Sequence, residues 1–187
     1  MNTKWLKSCR AILLILFATI ILTSCVEDNN MSSSSKFSDM IKYELDEISL
    51  TIYFWDFDTT NPRGVHMTLE WLVERAYTYR VVATGEELAE HRELLSQLAN
   101  VELIPSRNGS YVSARMYYVF EHSEHGEIFS FLTHAVSSDA GAFDAVFVNG
   151  QEVRGNRIFF EAVLPFMPES AAREIQANVN RWLSASE

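Results

Sequence analysis

Between residues 48 and 55 the chain alternates: Ile48, Leu50, Ile52 and Phe54 fall on one side, Ser49, Thr51, Tyr53 and Trp55 on the other. A period of two is the repeat of a pleated strand, and the β-branched and aromatic content of residues 40–57 favours the same reading. Asn61-Pro62-Arg63-Gly64 marks a turn. Residues 67–76 fit two periods. Met67, Leu69, Trp71 and Val73 step by two, Val65, Leu69, Leu72 and Ala76 follow a helical face, and the reading taken is strand. Tyr77, Tyr79 and Val81 alternate again.

Thr84-Gly85-Glu86-Glu87 is a capping box, in which a hydroxyl and a carboxylate satisfy the first backbone donors of a helix. The helix is expected to reach about Asn100 and to bury Leu88, Leu95 and Leu98, with His91 partly packed beside that stripe. Past Pro105, strands at 111–122 and 127–136 meet through Ser123-Glu124-His125-Gly126, and Asn149-Gly150 is a favoured hairpin turn. Val112, Ala114, Met116, Tyr118 and Phe120 are read as one core-facing row; Ile128, Ser130, Leu132 and His134 as another shared face. Asn156 can cap a short helix through Leu164, Pro165 interrupts it, and residues 168–183 place Ala172, Ile175, Val179 and Trp182 on one stripe. Strands, helix, meander, helices in that order predict an α+β domain: an antiparallel β-sheet with helices packed on it.

The first residues follow a different pattern. Lys4, Lys7 and Arg10 precede an apolar run at 11–22, followed by Thr23-Ser24-Cys25, the layout of a secretory signal peptide. The run is about 12 residues, whereas spanning a bilayer takes about 20. Leu22-Thr23-Ser24-Cys25 resembles the lipobox of bacterial lipoproteins. The resemblance implies that Cys25 receives a diacylglyceryl group, that the chain is cut just before it, and that the product is lipid-anchored on the extracytoplasmic side of a membrane in the cell envelope. Residues 1–24 are then signal peptide, 25–35 lipidated N-terminus and flexible linker, rich in serine and poor in apolar groups, and 36–187 a single domain.

Cys9 lies in the removed segment, so the mature chain has no cysteine beyond Cys25 and no disulfide to draw on. Loss of Lys4, Lys7 and Arg10 leaves 12 basic against 25 acidic side chains, a net charge of −13. Such a surface repels phosphate backbones, which excludes nucleic acid as a partner and favours cationic or neutral ones.

Two clusters offer chemistry. Asp56-Phe57-Asp58-Thr59-Thr60, at the end of an apolar strand, resembles the first motif of haloacid dehalogenase-like phosphatases, and Ser138-Asp139 with Asp144 resembles their late acidic motif. That likeness implies Asp56 as nucleophile, Asp58 as proton carrier, a magnesium ion and a parallel sheet; the lysine such enzymes use on the phosphate has no counterpart after Lys42. His122-Ser123-Glu124-His125, flanked by Glu121 and Glu127, gathers residue types that bind zinc, at a spacing that matches no zinc motif. No Gly-x-Ser-x-Gly elbow or glycine-rich phosphate loop is present. Trp55, Trp71, Tyr77, Tyr79, Tyr117 and Tyr118 lie in strand-like segments, and some must face outward unless helices cover both sides. The sequence therefore favours a membrane-tethered, non-enzymatic module that binds a protein, peptide or small ligand, without cofactor or metal. A hydrolase using Asp56 and Asp58, or zinc at the His122 cluster, is the alternative.

Overall fold

In strand β1 (Ile48–Phe54) the alternation sets the two sides apart: Ile48, Leu50, Ile52 and Phe54 are fully buried, and on the other side Ser49 and Tyr53 are half-buried while the smaller Thr51 is buried between them. The computed structural model describes residues 29–57, 67–106, 113–135 and 145–185. Residues up to Ser33 and residues from Ser34 onward form two separate units, and the second carries the sheet. Turn 61–64 lies outside the described residues.

Around β1 assemble β2 (Tyr79–Ala83), β3 (Ser113–His122), β4 (Gly126–Ala135), β5 (Ala145–Val148) and β6 (Gln151–Arg154), in the order β2-β1-β3-β4-β5-β6 with every pair antiparallel. The expected α+β architecture is what the chain adopts. Strands β3 to β6 are the meander. Asn149 (φ 50°) and Gly150 (φ 75°) take the left-handed conformations that a two-residue hairpin turn between β5 and β6 requires. Because β2 and β3 both flank β1 antiparallel, they run in the same direction, and the chain between them must cross over. Helices α3 (Gly85–Glu90) and α4 (Arg92–Ala99) make that crossing.

The helices collect on the face of Leu50, Ile52, Phe54, Tyr118, Phe120 and Phe131. Phe37, Met40 and Ile41 of α1 (Asn29–Tyr43) reach this core, Phe37 packing on Phe120 and Phe129 at 5.1 and 4.6 Å between ring centroids. Helix α1 begins inside the stretch read as linker, and it places residues 40–43 in helix rather than strand. The capping box forms, the Thr84 N–H donating to Glu87 Oε2 at 3.0 Å, and Leu88, Leu95 and Leu98 are wholly buried as expected. His91 breaks the helix and packs edge-on against Phe166. The N-cap of α5 (Ile158–Glu161) is Arg157 rather than Asn156, which stands one residue earlier and accepts the Ile158 N–H on its side-chain oxygen; the helix ends earlier than expected, and a separate 3-10 turn, Leu164–Phe166, carries Pro165. Helix α6 (Glu169–Ala185) buries Ala171, Ile175 and Val179.

Three further expectations are corrected. Residues 67–76 are helical: Thr68 accepts the Trp71 N–H, opening the turn α2 (Leu69–Trp71), which continues as a π-helix over Leu72–Ala76. Of the two periods, the helical one wins because it turns Leu72 and Ala76 onto the sheet. Ala114 leaves the core row, because Ala114 pairs with His134 and Met116 with Thr133, so Arg115 is an extra residue that reverses the phase of β3. Ile128 leaves the Ser130 face by the same device: Phe120 pairs with Phe129 and Glu121 with Glu127, which turns Ile128 into the core.

Candidate functional site

On the face opposite the main helix layer, register aligns six residues into one row. Arg80 stands opposite Tyr53, Tyr53 opposite Tyr117, Tyr117 opposite Leu132, Leu132 opposite Phe147, and Phe147 opposite Glu152. Cross-strand partners share a face, and strands stand about 4.8 Å apart, so the row runs about 24 Å across the sheet. It is aromatic and aliphatic in the middle and charged at both ends. Tyr53 is its hub: stacked on Tyr117 at 6.2 Å, edge-on to Tyr77 at 5.6 Å, with the Arg80 guanidinium 5.7 Å above its ring and Arg80 Nε 3.4 Å from its hydroxyl. His134, one pleat away, sits edge-on to Phe147 at 5.5 Å.

Segment 67–76 covers one margin of this face, where Met67, Leu72 and Ala114 form a small cluster with Tyr53, Trp55, Ala76, Tyr117 and Leu132. The opposite margin descends in chemistry. Beside the row lie Thr51, Val119 and Ser130, a strip of small side chains, and beyond them Glu121 and Glu127 stand directly opposite each other, both exposed. Burial, with Glu127 and Glu121 nearby, pushes the Tyr117 phenol up to about 12, against a weaker opposing hydrogen bond from Ser130. Burial also lowers the pKa of His134. Tyr117 is therefore neutral at physiological pH, an apolar body with a hydroxyl that can donate or accept.

The residues singled out from sequence are scattered. Trp55 and Tyr117 belong to this face, Trp71 and Tyr77 lie exposed beside it, but Tyr118 is fully buried and Tyr79 stacks on Phe54 and bonds Ser170, both on the core side. Asp56 lies two residues beyond the end of β1 and is half-exposed; its backbone oxygen accepts from Arg115 Nη1 at 2.7 Å, and the Arg115 guanidinium lies 4.1 Å above Trp55. Asp58, Asp139 and Asp144 lie outside the described residues. Strand β1 has antiparallel neighbours on both sides, unlike the parallel sheet that the phosphatase resemblance implied.

At the β3–β4 turn, His122 is buried, with its ring stacked on His125 at 4.8 Å. Its Nδ1 accepts the Glu124 N–H at 3.1 Å, and its Nε2 lies 3.0 Å from Glu44 Oε2 without the alignment of a hydrogen bond. Nδ1 is thus engaged within the fold, while Nε2 faces the Glu44 carboxylate. Ser123 ties the same turn to Glu47 through its hydroxyl and its N–H. Among the described residues no three His, Cys, Asp or Glu groups converge as metal ligands.

Cys25 lies outside the described residues, and among those described no helix is long and apolar enough to cross a membrane. Sequence reasoning missed Tyr53, Leu132, Phe147, Arg80 and Glu152 as a set. Each strand's alternation was legible, but only register shows that they form one row. Comparison of the chain with protein-family models, curated proteins and solved structures finds no match to any of them.

Proposed function

We propose that this chain is a lipoprotein, anchored through Cys25 on the extracytoplasmic side of an envelope membrane, whose sheet domain is a non-enzymatic binding module with the Tyr53–Tyr117–Leu132–Phe147 row as its ligand surface. The observation that carries the binding reading is the row itself: four apolar and aromatic side chains in register on the face away from the main core, covered along one margin only by segment 67–76 among the described residues. A sheet face without a function is ordinarily polar, and large aromatics in contact with solvent are over-represented in recognition surfaces. The lipobox resemblance at Leu22-Thr23-Ser24-Cys25 supports the anchor.

Two experiments test this reading. Cys25→Ser should abolish lipid labelling and move the protein from the membrane to the soluble fraction; unchanged fractionation contradicts the anchor. A photocrosslinking residue at Tyr117 should give adducts in intact cells while the same residue at Glu93, on the exposed side of α4, should give none. Equal adducts from both positions, or none from Tyr117, contradict the binding face.

A further inference from the structure

The aromatic row by itself does not say what it binds, but the acidic pair at its margin does. Glu121 and Glu127 are cross-strand partners on the same face as Tyr53 and Tyr117, four residues along β3 from Tyr117. At about 3.3 Å per residue the pair stands about 13 Å from the row. Like charges placed directly opposite each other destabilise a sheet, and among the described residues neither carboxylate forms an ion pair. Both side chains are exposed. Between the row and the pair lie Thr51, Val119 and Ser130, small side chains that are themselves buried, so an extended side chain crossing the interval passes above them. Arg80, the cation on the row, is turned back onto Tyr53 and stands at the far edge strand.

We infer that this face takes a basic, amphipathic peptide segment of a partner protein. Its apolar side chains rest on Tyr53, Tyr117, Leu132 and Phe147, and a lysine or arginine stem lies across Thr51, Val119 and Ser130 to set its cation between Glu121 and Glu127. A ligand cation there relieves the repulsion that the free protein carries. The ring of Tyr117 lies along the path and offers a cation–π surface. The domain's acidity draws the same class of ligand at long range, while the pair fixes where the cation sits. This inference rests on the binding face proposed above.

The test is titration of the full chain in non-ionic detergent with a short peptide alternating lysine and leucine, beside its counterpart with glutamine in place of lysine. The lysine peptide should bind about tenfold more tightly at low salt, the preference shrinking as salt is raised. Glu121→Gln with Glu127→Gln should erase the preference. Glu90→Gln with Glu93→Gln, the same charge change on α3 and α4, should leave it intact. A preference that survives the first double variant, or falls equally in both, overturns the inference, as does failure of the lysine peptide to bind. If both peptides bind equally and both are lost in Tyr53→Ala with Tyr117→Ala, the cation site is wrong and the aromatic face stands; if that variant changes neither, both readings fall.

Discussion

Tyr118→Phe and Thr133→Val each remove one buried oxygen with almost no change of shape, and their surroundings give them opposite signs. The Tyr118 hydroxyl donates to the Phe159 carbonyl at 2.9 Å in the fully buried core. That carbonyl needs it: the Val163 N–H, which would bond Phe159 in a continued α-helix, bonds Phe160 instead as the chain tightens. Deleting the hydroxyl forfeits a hydrogen bond and orphans the carbonyl, a loss of about 1.5 kcal/mol. The Thr133 hydroxyl is equally buried but has no hydrogen-bond partner among the described residues. Its desolvation is uncompensated, so replacing it by a methyl group should stabilise the fold by about 1 kcal/mol. For a chain of this size, each kcal/mol moves the melting temperature by about 2–4 °C. Circular dichroism melts and urea titrations with unchanged slope would read a drop of about 3–6 °C for Tyr118→Phe and a rise of about 2–4 °C for Thr133→Val. The reasoning is refuted if the two shifts share a sign, or if Thr133→Val destabilises by more than about 0.5 kcal/mol.

Gly85 has no room for a side chain, since a Cβ would stand 2.7 Å from Asp46 Cα; Gly85→Ala should push the start of α3 off the turn at Leu45–Glu47 and cost about 1–3 kcal/mol, measured by chemical denaturation. Stability should decline in alkali. Burial raises Tyr118 well above its ordinary value of 10 and Tyr117 to about 12, so the folded state holds both protons more tightly than the unfolded chain. That contribution is complete below pH 10 and is lost as pH rises through the folded values, so Tyr117→Phe should flatten the fall in denaturation midpoint between pH 9 and pH 12.

What could be read from the sequence followed the range of the interactions concerned. The β1 alternation, the Thr84–Glu87 capping box, the Asn149-Gly150 turn and the Ile175 and Val179 positions of the α6 stripe are written in residues a few positions apart, and each forms. Segment 67–76 misled because its apolar residues satisfy both periods, and the choice between them is made by Tyr53, Trp55 and Tyr117, distant in sequence, which need Leu72 and Ala76 over them. The bulges at Arg115 and Ile128 are matters of pairing between strands, and a single strand read alone keeps its phase. For the same reason the candidate site was seen only as outward aromatics: Tyr117 and Trp55 were named, whereas Tyr53, Leu132 and Phe147 become one surface only once four strands are in register.

Oxidative labelling of tyrosines, read by mass spectrometry on intact envelopes and on the purified protein, tests the central claim most directly. Tyr43, 69% exposed at the end of α1 and away from the row, is the internal control, while Tyr77, 37% exposed, and the half-buried Tyr53 and Tyr117 report on the face itself. An occupied face predicts that Tyr53, Tyr77 and Tyr117 are labelled less in the envelope than after purification, with Tyr43 labelled alike in both. Equal labelling of all four in both states, or protection at Tyr43 alone, would contradict a ligand surface built on this row.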